Sequence, residues 1–147
     1  MTAHLSIDPG RDTGWALWAS GGRLIACGLG DGWPVHTDAR VLIERPQVYR
    51  AAMSKGDPND LITLAIQVGR YTERLESAGA HVEHVLPRDW KGTIDANVML
   101  NRIIRDMSPE QATTVLRDTK GIAKSRTHNV IDAVGLGQWA FRRGRWA

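Results

Sequence analysis

Cysteine and long apolar runs are nearly absent from this 147-residue chain, in which Cys27 is the only cysteine. A single thiol excludes an internal disulfide and a zinc site built from several thiolates. No apolar run approaches the roughly 20 residues that a transmembrane helix needs. The first residues also lead straight into a strand pattern, without a basic stretch and an apolar signal core. We therefore expect a cytoplasmic protein that does not associate with membranes.

Nucleotide-binding motifs are also missing. The glycine-rich stretch CGLGDGWP, residues 27–34, is not followed by a helical pattern, so it is neither a dinucleotide fingerprint nor a P-loop. Actin-like ATPases and sugar kinases share a related strand–Asp–Gly opening, but they enclose their nucleotide between two lobes, for which 147 residues are too few. No nucleotide cofactor is expected.

Charge is distributed unevenly along the chain. Residues 87–147 contain 11 lysines and arginines against 6 aspartates and glutamates, whereas residues 1–86 contain 8 against 10. Arginine supplies 15 of the 19 basic residues, and its planar guanidinium suits bidentate contact with phosphate. The composition is ordinary for a globular protein, and we expect one domain over residues 1–147. The basic second half indicates either a polyanionic partner or a solvated basic surface.

Hydrophobic periodicity predicts the main elements. Strands are predicted over residues 4–7, 15–19, 23–28, 40–44 and 81–86. Helices are predicted over residues 61–77, 95–106, 109–117 and 127–142. Loops are predicted over residues 51–59 and 118–126, and Asn59 or Asp60 is expected to cap the first helix. Three early strands, followed by strands alternating with helices, predict an α/β fold with a mixed sheet.

Two of the predicted strands end on a carboxylate. Asp8 directly precedes Pro9, and Glu44 is followed by Arg45 and Pro46. The carboxyl ends of strands are where open α/β sheets place their ligands. Taken alone, Asp8 could be an ordinary turn residue and Glu44 a surface acid. Both alternatives stay open at this level.

A third carboxylate lies in the last predicted helix. Asp132 stands four residues after His128, so both side chains project from one helix face. His128 could equally cap the helix or pack on its surface. Gly135 and Gly137 follow, although glycine costs about 1 kcal/mol in a helix interior. Such small residues make sense if the helix must lie close against a sheet.

The three acids together predict a metal site. If Asp8, Glu44 and Asp132 converge, like charges share one pocket and require a counter-ion. Oxygen donors select a hard cation such as Mg²⁺, for which Mn²⁺ can substitute. Two such ions about 3.5–4 Å apart would support in-line attack of water on a phosphodiester.

Four segments in this order resemble motifs of the RuvC-type Holliday-junction resolvases, which belong to the ribonuclease H-like superfamily. They are LSIDPGRDTGWALW (5–18), VLIERPQVY (41–49), VLPRDWKGTI (85–94) and THNVIDAVGLGQWA (127–140). The third segment is similar to the phage-type members, in which a Trp-Lys pair follows a proline. A phage-encoded protein would act in the cytoplasm of its bacterial host.

The resemblance implies a ribonuclease H-like fold and a Mg²⁺-dependent endonuclease that acts as a homodimer on four-way DNA junctions. Asp8, Glu44 and Asp132 correspond to three of the four catalytic positions of the family. The fourth position holds Asn129, with His128 one residue earlier. Asparagine can ligate a metal through its carbonyl oxygen, but it cannot act as a base. The fourth ligand therefore stays open between these two residues.

The resemblance also implies contacts with DNA. An aromatic residue after the glutamate acts at the junction centre in the family, and Tyr49 is the nearest candidate here. Trp90 could stack on a base, or it could belong to the core. Phosphate contacts are predicted for six basic residues. These are Lys91, Lys120, Lys124, Arg126, Arg142 and Arg143.

Two alternative functions remain beside the resolvase. One is a related nuclease that cuts other branched DNA or RNA–DNA hybrids. The other is a nucleic-acid-binding module of the same fold without catalysis. Clustered acids would only repel a phosphate backbone in such a module, so retention of all three carboxylates favours an enzyme.

Overall fold

The computed structural model describes residues 2–48 and 56–147. Five strands form one sheet, and its order is β3-β2-β1-β4-β5. The strands are β1 (His4–Asp8), β2 (Gly14–Ala19), β3 (Arg23–Leu29), β4 (Arg40–Glu44) and β5 (His81–Val85). The first three strands pair antiparallel, and β1, β4 and β5 run parallel. The predicted mixed sheet is confirmed.

Five helices accompany the sheet. They are α1 (Pro58–Ser77), α2 (Pro87–Trp90), α3 (Ala96–Asp106), α4 (Pro109–Thr119) and α5 (Lys124–Arg142). The sequence predicted four of them, and α2 was missed because it is only four residues long. None of the helices in the described part of the chain combines the length and hydropathy needed to cross a membrane.

Three predicted helix boundaries were wrong. Helix α1 begins at Pro58, and its cap is Asp57, whose side chain accepts a hydrogen bond from the Asn59 amide at 2.9 Å. Proline fits the first helical position because its missing N–H would have no partner there. The predicted loop over 118–126 is also too long, because α4 continues to Thr119 and α5 begins at Lys124. Residues 51–55 of the other predicted loop lie outside the described residues.

The sheet separates two hydrophobic clusters. Leu5 and Ile7 of β1 point to the cluster that includes Val68 and Leu75 of α1. The alternate residues of the sheet point to the opposite cluster, where α3, α4 and α5 pack. Because side chains alternate along a strand, the even-numbered residues of β1 and β4 face α5. Two of those even-numbered residues are Asp8 and Glu44.

Helix α5 lies close against the sheet. A Cβ atom on Gly135 would overlap the side chain of Ile103, and one on Gly137 would overlap the indole of Trp18. The hydroxyl of Ser6 on β1 also donates a hydrogen bond to the backbone carbonyl of Ala133 at 2.6 Å. The close approach that the glycines of this helix predicted is therefore confirmed.

Candidate active site

The ends of β1 and β4 place two carboxylates side by side. Ile7 pairs with Ile43 across the parallel strands, so Asp8 and Glu44 each follow that pair by one residue. Both side chains point to the α5 face, as their even positions require. Asp8 is buried, and the side chain of Glu44 is only 14% exposed. The chain-breaking residues after each acid leave both carboxylates on the last regular position of a buried strand.

Helix α5 brings the third carboxylate to the same place. Asp132 precedes Ala133, whose carbonyl is bound by Ser6 on β1. Burial raises the pKa of Asp8 well above its usual range, and the charges of Glu44 and Asp132 raise it further. These charge effects require the three acids to lie near one another. Asp8 therefore lies within electrostatic range of both other acids.

One lysine opposes the acids. The Nζ atom of Lys91 lies 3.3 Å from Oε2 of Glu44, and its charge lowers the pKa values of all three carboxyl groups. Burial nevertheless raises the pKa values of Glu44 and Asp132 above their usual range. For Lys91 itself, burial lowers the pKa, but Glu44, Asp8 and Asp132 outweigh it and the net shift is upward. Three acids thus share one nearby ammonium group.

Trp90 also belongs to the site. Its indole Nε1 donates a 2.6 Å hydrogen bond to Oε2 of Glu44, and the ammonium of Lys91 lies 4.8 Å from its ring centroid. The short helix α2 presents both residues to the end of β4. Trp90 is only 6% exposed and lies next to Gly135 in the core. Base stacking by Trp90 is therefore not supported, since an enclosed ring offers no free face.

The three carboxylates are donors of the kind that a hard divalent cation binds. Carboxylate oxygens are the ligands that Mg²⁺ prefers, and buried like charges favour an added cation. The arrangement is not a closed ligand shell, however. Within residues 2–48 and 56–147, no three histidine, cysteine, aspartate or glutamate side chains are placed to hold one metal ion. Trp90 and Lys91 both contact Oε2 of Glu44, so Oε1 is the oxygen that these contacts leave for a cation.

The two candidates for the fourth ligand lie in different surroundings. His128 is exposed, and its charge lowers the pKa of Asp132, so the two side chains share one side of α5. The Asn129 amide donates a 3.3 Å hydrogen bond to the Arg126 carbonyl. The backbone of Asn129 lies against Gly14, where any Cβ atom would overlap its carbonyl. The choice between the two ligands stays a prediction.

The residues predicted to contact DNA do not all lie close together. Lys120 and Lys124 are exposed at the start of α5, where Arg126 forms a 3.0 Å ion pair with Asp12. Arg142 and Arg143 lie at the other end of the helix, and Arg142 pairs with Asp106 at 3.6 Å. The ten residues between Asp132 and Arg142 correspond to about 15 Å of helix. Tyr49 lies outside the described residues.

The sequence analysis missed the contacts that brace the turn after Asp8. Gln67 of α1 donates hydrogen bonds to the Gly10 carbonyl at 3.0 Å and to the Tyr71 hydroxyl at 2.8 Å. That hydroxyl lies 2.9 Å from the Thr13 hydroxyl. The sequence shows Gln67 four residues before Tyr71, and therefore on the same helix face. It does not show that both residues contact the turn after Asp8.

No protein-family model and no curated protein matches the chain. Solved structures do. Thermus thermophilus RuvC in complex with a Holliday junction substrate aligns over 99% of this chain and 98% of that one, with a TM-score of 0.55 and 14% identity. The chain has a RuvC-like fold. A second Thermus thermophilus RuvC structure aligns over 97% of each chain with a TM-score of 0.45 and 17% identity. At such identities the RuvC-like fold describes the backbone alone.

Proposed function

We propose that this chain is a metal-dependent endonuclease that hydrolyses phosphodiesters in branched DNA, with four-way junctions as its preferred substrate. The observation that carries the proposal is the meeting of Asp8, Glu44 and Asp132 on one face of the sheet. The RuvC-like fold supports the substrate class, because the similar Thermus thermophilus structure contains a Holliday junction. The Trp90-Lys91 pair after Pro87, similar to phage-type members, supports a phage-type resolvase.

Asp8, Glu44 and Asp132 would hold the cation, with His128 or Asn129 as the fourth ligand. When bound, Mg²⁺ would lower the pKa of a coordinated water and neutralise charge on the phosphate. Asp8 is fixed by its strand, and Asp132 by the contact between Ser6 and α5. Glu44 would join them through Oε1, because its contacts with Trp90 and Lys91 use Oε2.

Lys91 and Trp90 act as positioning residues in this scheme. In the cation-free protein they hold Glu44 through one ion pair and one hydrogen bond. The ammonium group reduces the repulsion among three buried acids, which lowers the cost of keeping the site assembled. Lys91 is therefore assigned to the acid site, and its predicted phosphate contact would occur next to the cleaved bond.

Other basic residues would bind DNA further from the acids. Lys124 and Arg126 lie at the start of α5, no more than eight residues before Asp132. Lys120 lies in the loop before that helix. Arg142 and Arg143 would contact a more distant part of the substrate. A homodimer acting on the two strands of a junction, with Tyr49 at its centre, remains part of the proposal.

The first experiment compares cleavage of a four-way junction, duplex DNA, single-stranded DNA and an RNA–DNA hybrid, each with Mg²⁺ and with EDTA. We expect junction cleavage in Mg²⁺ alone. Asp8→Asn should reduce cleavage more than about 100-fold, since even an outer-shell partner of a metal ligand is worth about 10- to 100-fold. Junction binding should persist.

Asp38→Asn is the matched control. Asp38 is 80% exposed and precedes β4, at the opposite end of that strand from Glu44. This variant should cut like the wild type. Equal cleavage of every substrate would refute the preference for junctions but keep the nuclease. Cleavage by Asp8→Asn would refute the site itself.

A non-catalytic junction-binding module is the second candidate. The observation that favours it is that no three histidine, cysteine, aspartate or glutamate side chains of the described residues are placed to hold one metal ion. Calorimetric titration with Mn²⁺ separates the two functions. Saturable binding that is lost in Asp8→Asn supports the enzyme. Junction binding with neither Mn²⁺ binding nor cleavage supports the module.

A further inference from the structure

A groove of about 1000 Å³ lies between the turn after β1 and helix α1. It begins at Gly10, two residues beyond Asp8, and continues along α1 past Arg70 to Arg74. The turn that forms its wall therefore carries a proposed catalytic carboxylate at its start. A polymer crossing the carboxyl end of β1 could contact both the acids and this groove.

Three arginines and two aspartates, Asp31 and Asp60, line the groove, and two of the arginines have no acidic partner in the described residues. Arg74 pairs with Asp31 at 3.6 Å and stacks 4.7 Å above the ring of Trp33. Arg11 and Arg70 also line the groove, and neither forms an ion pair with any acidic side chain in the described residues. Both side chains are exposed. Two free guanidinium groups therefore face the same open space, and guanidinium is the side chain best suited to phosphate.

The two walls of the groove are joined by a network of hydrogen bonds. Gln67 donates to the carbonyl of Gly10 at 3.0 Å, and it donates to the hydroxyl of Tyr71 at 2.8 Å. Thr13, at the far end of the turn, lies 2.9 Å from that hydroxyl. These bonds fix the position of the turn relative to α1. Ile66, which is 55% exposed, adds an apolar surface to the same groove.

We propose that this groove binds the DNA strand that leads away from the cleaved phosphodiester, with Arg11 and Arg70 contacting backbone phosphates. A groove with cationic side chains along it can follow a nucleic-acid backbone without reading its sequence. The proposal rests on the proposed nuclease function, and it extends DNA contact to the α1 side of the sheet. None of the basic residues predicted from the sequence lies on this groove.

The test neutralises the two arginines separately and together, as Arg11→Gln, Arg70→Gln and the double variant. The control is Arg102→Gln, an exposed arginine on α3 at the other face of the sheet. Binding to a four-way junction is measured in EDTA at several salt concentrations. Each lost phosphate contact should make the slope of log affinity against log salt shallower by about 0.9. Arg102→Gln should keep the wild-type slope.

Cleavage kinetics in Mg²⁺ provide a second measurement. We expect KM to rise several-fold in the double variant while kcat stays within about twofold. The reason is that these phosphate contacts stabilise the bound substrate and the transition state equally. Thermal unfolding of each variant confirms that it is folded. Variants that bind and cut like Arg102→Gln would overturn the groove and leave the nuclease intact. Wild-type protein that binds no DNA would overturn the nuclease itself.

A third outcome concerns a different occupant. If the two variants change the sedimentation of the protein but not its salt slope on DNA, the groove is a contact between copies of this chain. That result would overturn the proposal.

Discussion

The two faces of the sheet differ in how tightly their helices pack. On one face, α5 lies so close to the sheet that Gly14 and Gly137 leave no room for a Cβ atom. On the other face, α1 buries only Val68 and Leu75. The acids belong to the tight face, where a displacement of a fraction of an ångström would alter the distance between them. A precise site requires rigid support, and this face supplies it.

The looser face serves a different purpose. Helix α1 reaches the turn after Asp8 by polar bonds from Gln67 and Tyr71. Its exposed Ile62 and Ile66 face open space. Surfaces of this kind can bind a partner or a polymer without disturbing the acids. The comparison predicts that glycine-to-alanine substitutions will lower stability on the α5 face of the sheet and raise it on the α1 face.

Gly14→Ala should have the largest effect. Gly14 pairs with Asp8 in the sheet, and a Cβ atom there would overlap the backbone carbonyl of Asn129 on α5. Because two backbones must separate, we expect a loss of stability above about 3 kcal/mol, beyond the usual range for overpacking. Denaturant unfolding measures it. Gly10→Ala is the control, since a Cβ atom at Gly10 meets nothing within 4 Å.

A smaller loss of stability in Gly14→Ala would change the comparison between the two faces. If Gly14→Ala unfolds at the same denaturant concentration as Gly10→Ala, then α5 can shift freely on β2. The close packing would then not define the position of Asp132.

Gly137→Ala should cost about 1–3 kcal/mol, because it displaces a side chain rather than a backbone. The added methyl would overlap the buried indole of Trp18, whose Nε1 donates a 3.1 Å hydrogen bond to Ser6. Thermal unfolding and the near-ultraviolet circular dichroism of the tryptophans report the change. The double variant with Trp18→Phe, which provides more space, should recover part of the loss. No recovery would show that the indole is not the obstacle.

Asp8→Asn should stabilise the cation-free protein by about 0.5–2 kcal/mol, as often occurs when a functional site is relieved of strain. Burial and the neighbouring acids raise the pKa of Asp8, so ionisation opposes folding. The folded state binds more protons than the unfolded state, and stability therefore falls as the pH rises above about 4. The gap between variant and wild type should be absent near pH 3 and grow towards pH 8.

The measurement is thermal unfolding in EDTA across that pH range. Asp38→Asn, at an exposed position, should show no such gap. A gap that narrows with rising pH would contradict a raised pKa for Asp8.

The sequence was sufficient to predict the sheet, because its strands depend on local patterns. Continuous apolar runs indicated the buried strands, and an acid before a chain-breaking residue indicated Asp8 and Glu44. Glycines in α5 predicted its close packing. The site partners of Glu44 could not be predicted in the same way. Trp90 and Lys91 reach it from a different element, so their role depends on where α2 lies.

The roles of the basic residues were also beyond the sequence. Lys91 and Arg126 look equivalent as cations, yet one faces the acids and the other pairs with Asp12. Arg11 and Arg70 are separated by nearly sixty residues, and only the fold brings them to one groove. Pairing across elements depends on tertiary packing, which periodicity does not encode.

Gly69→Ala should have the smallest effect and the opposite sign. Gly69 lies within α1, and a Cβ atom there would meet nothing within 4 Å. Alanine restricts the unfolded chain and favours the helix, so we expect a gain of about 0.4–1 kcal/mol. Thermal unfolding at several protein concentrations measures it. A loss of stability that grows with protein concentration would show that this face packs against a second copy, and the loose face would then be an interface.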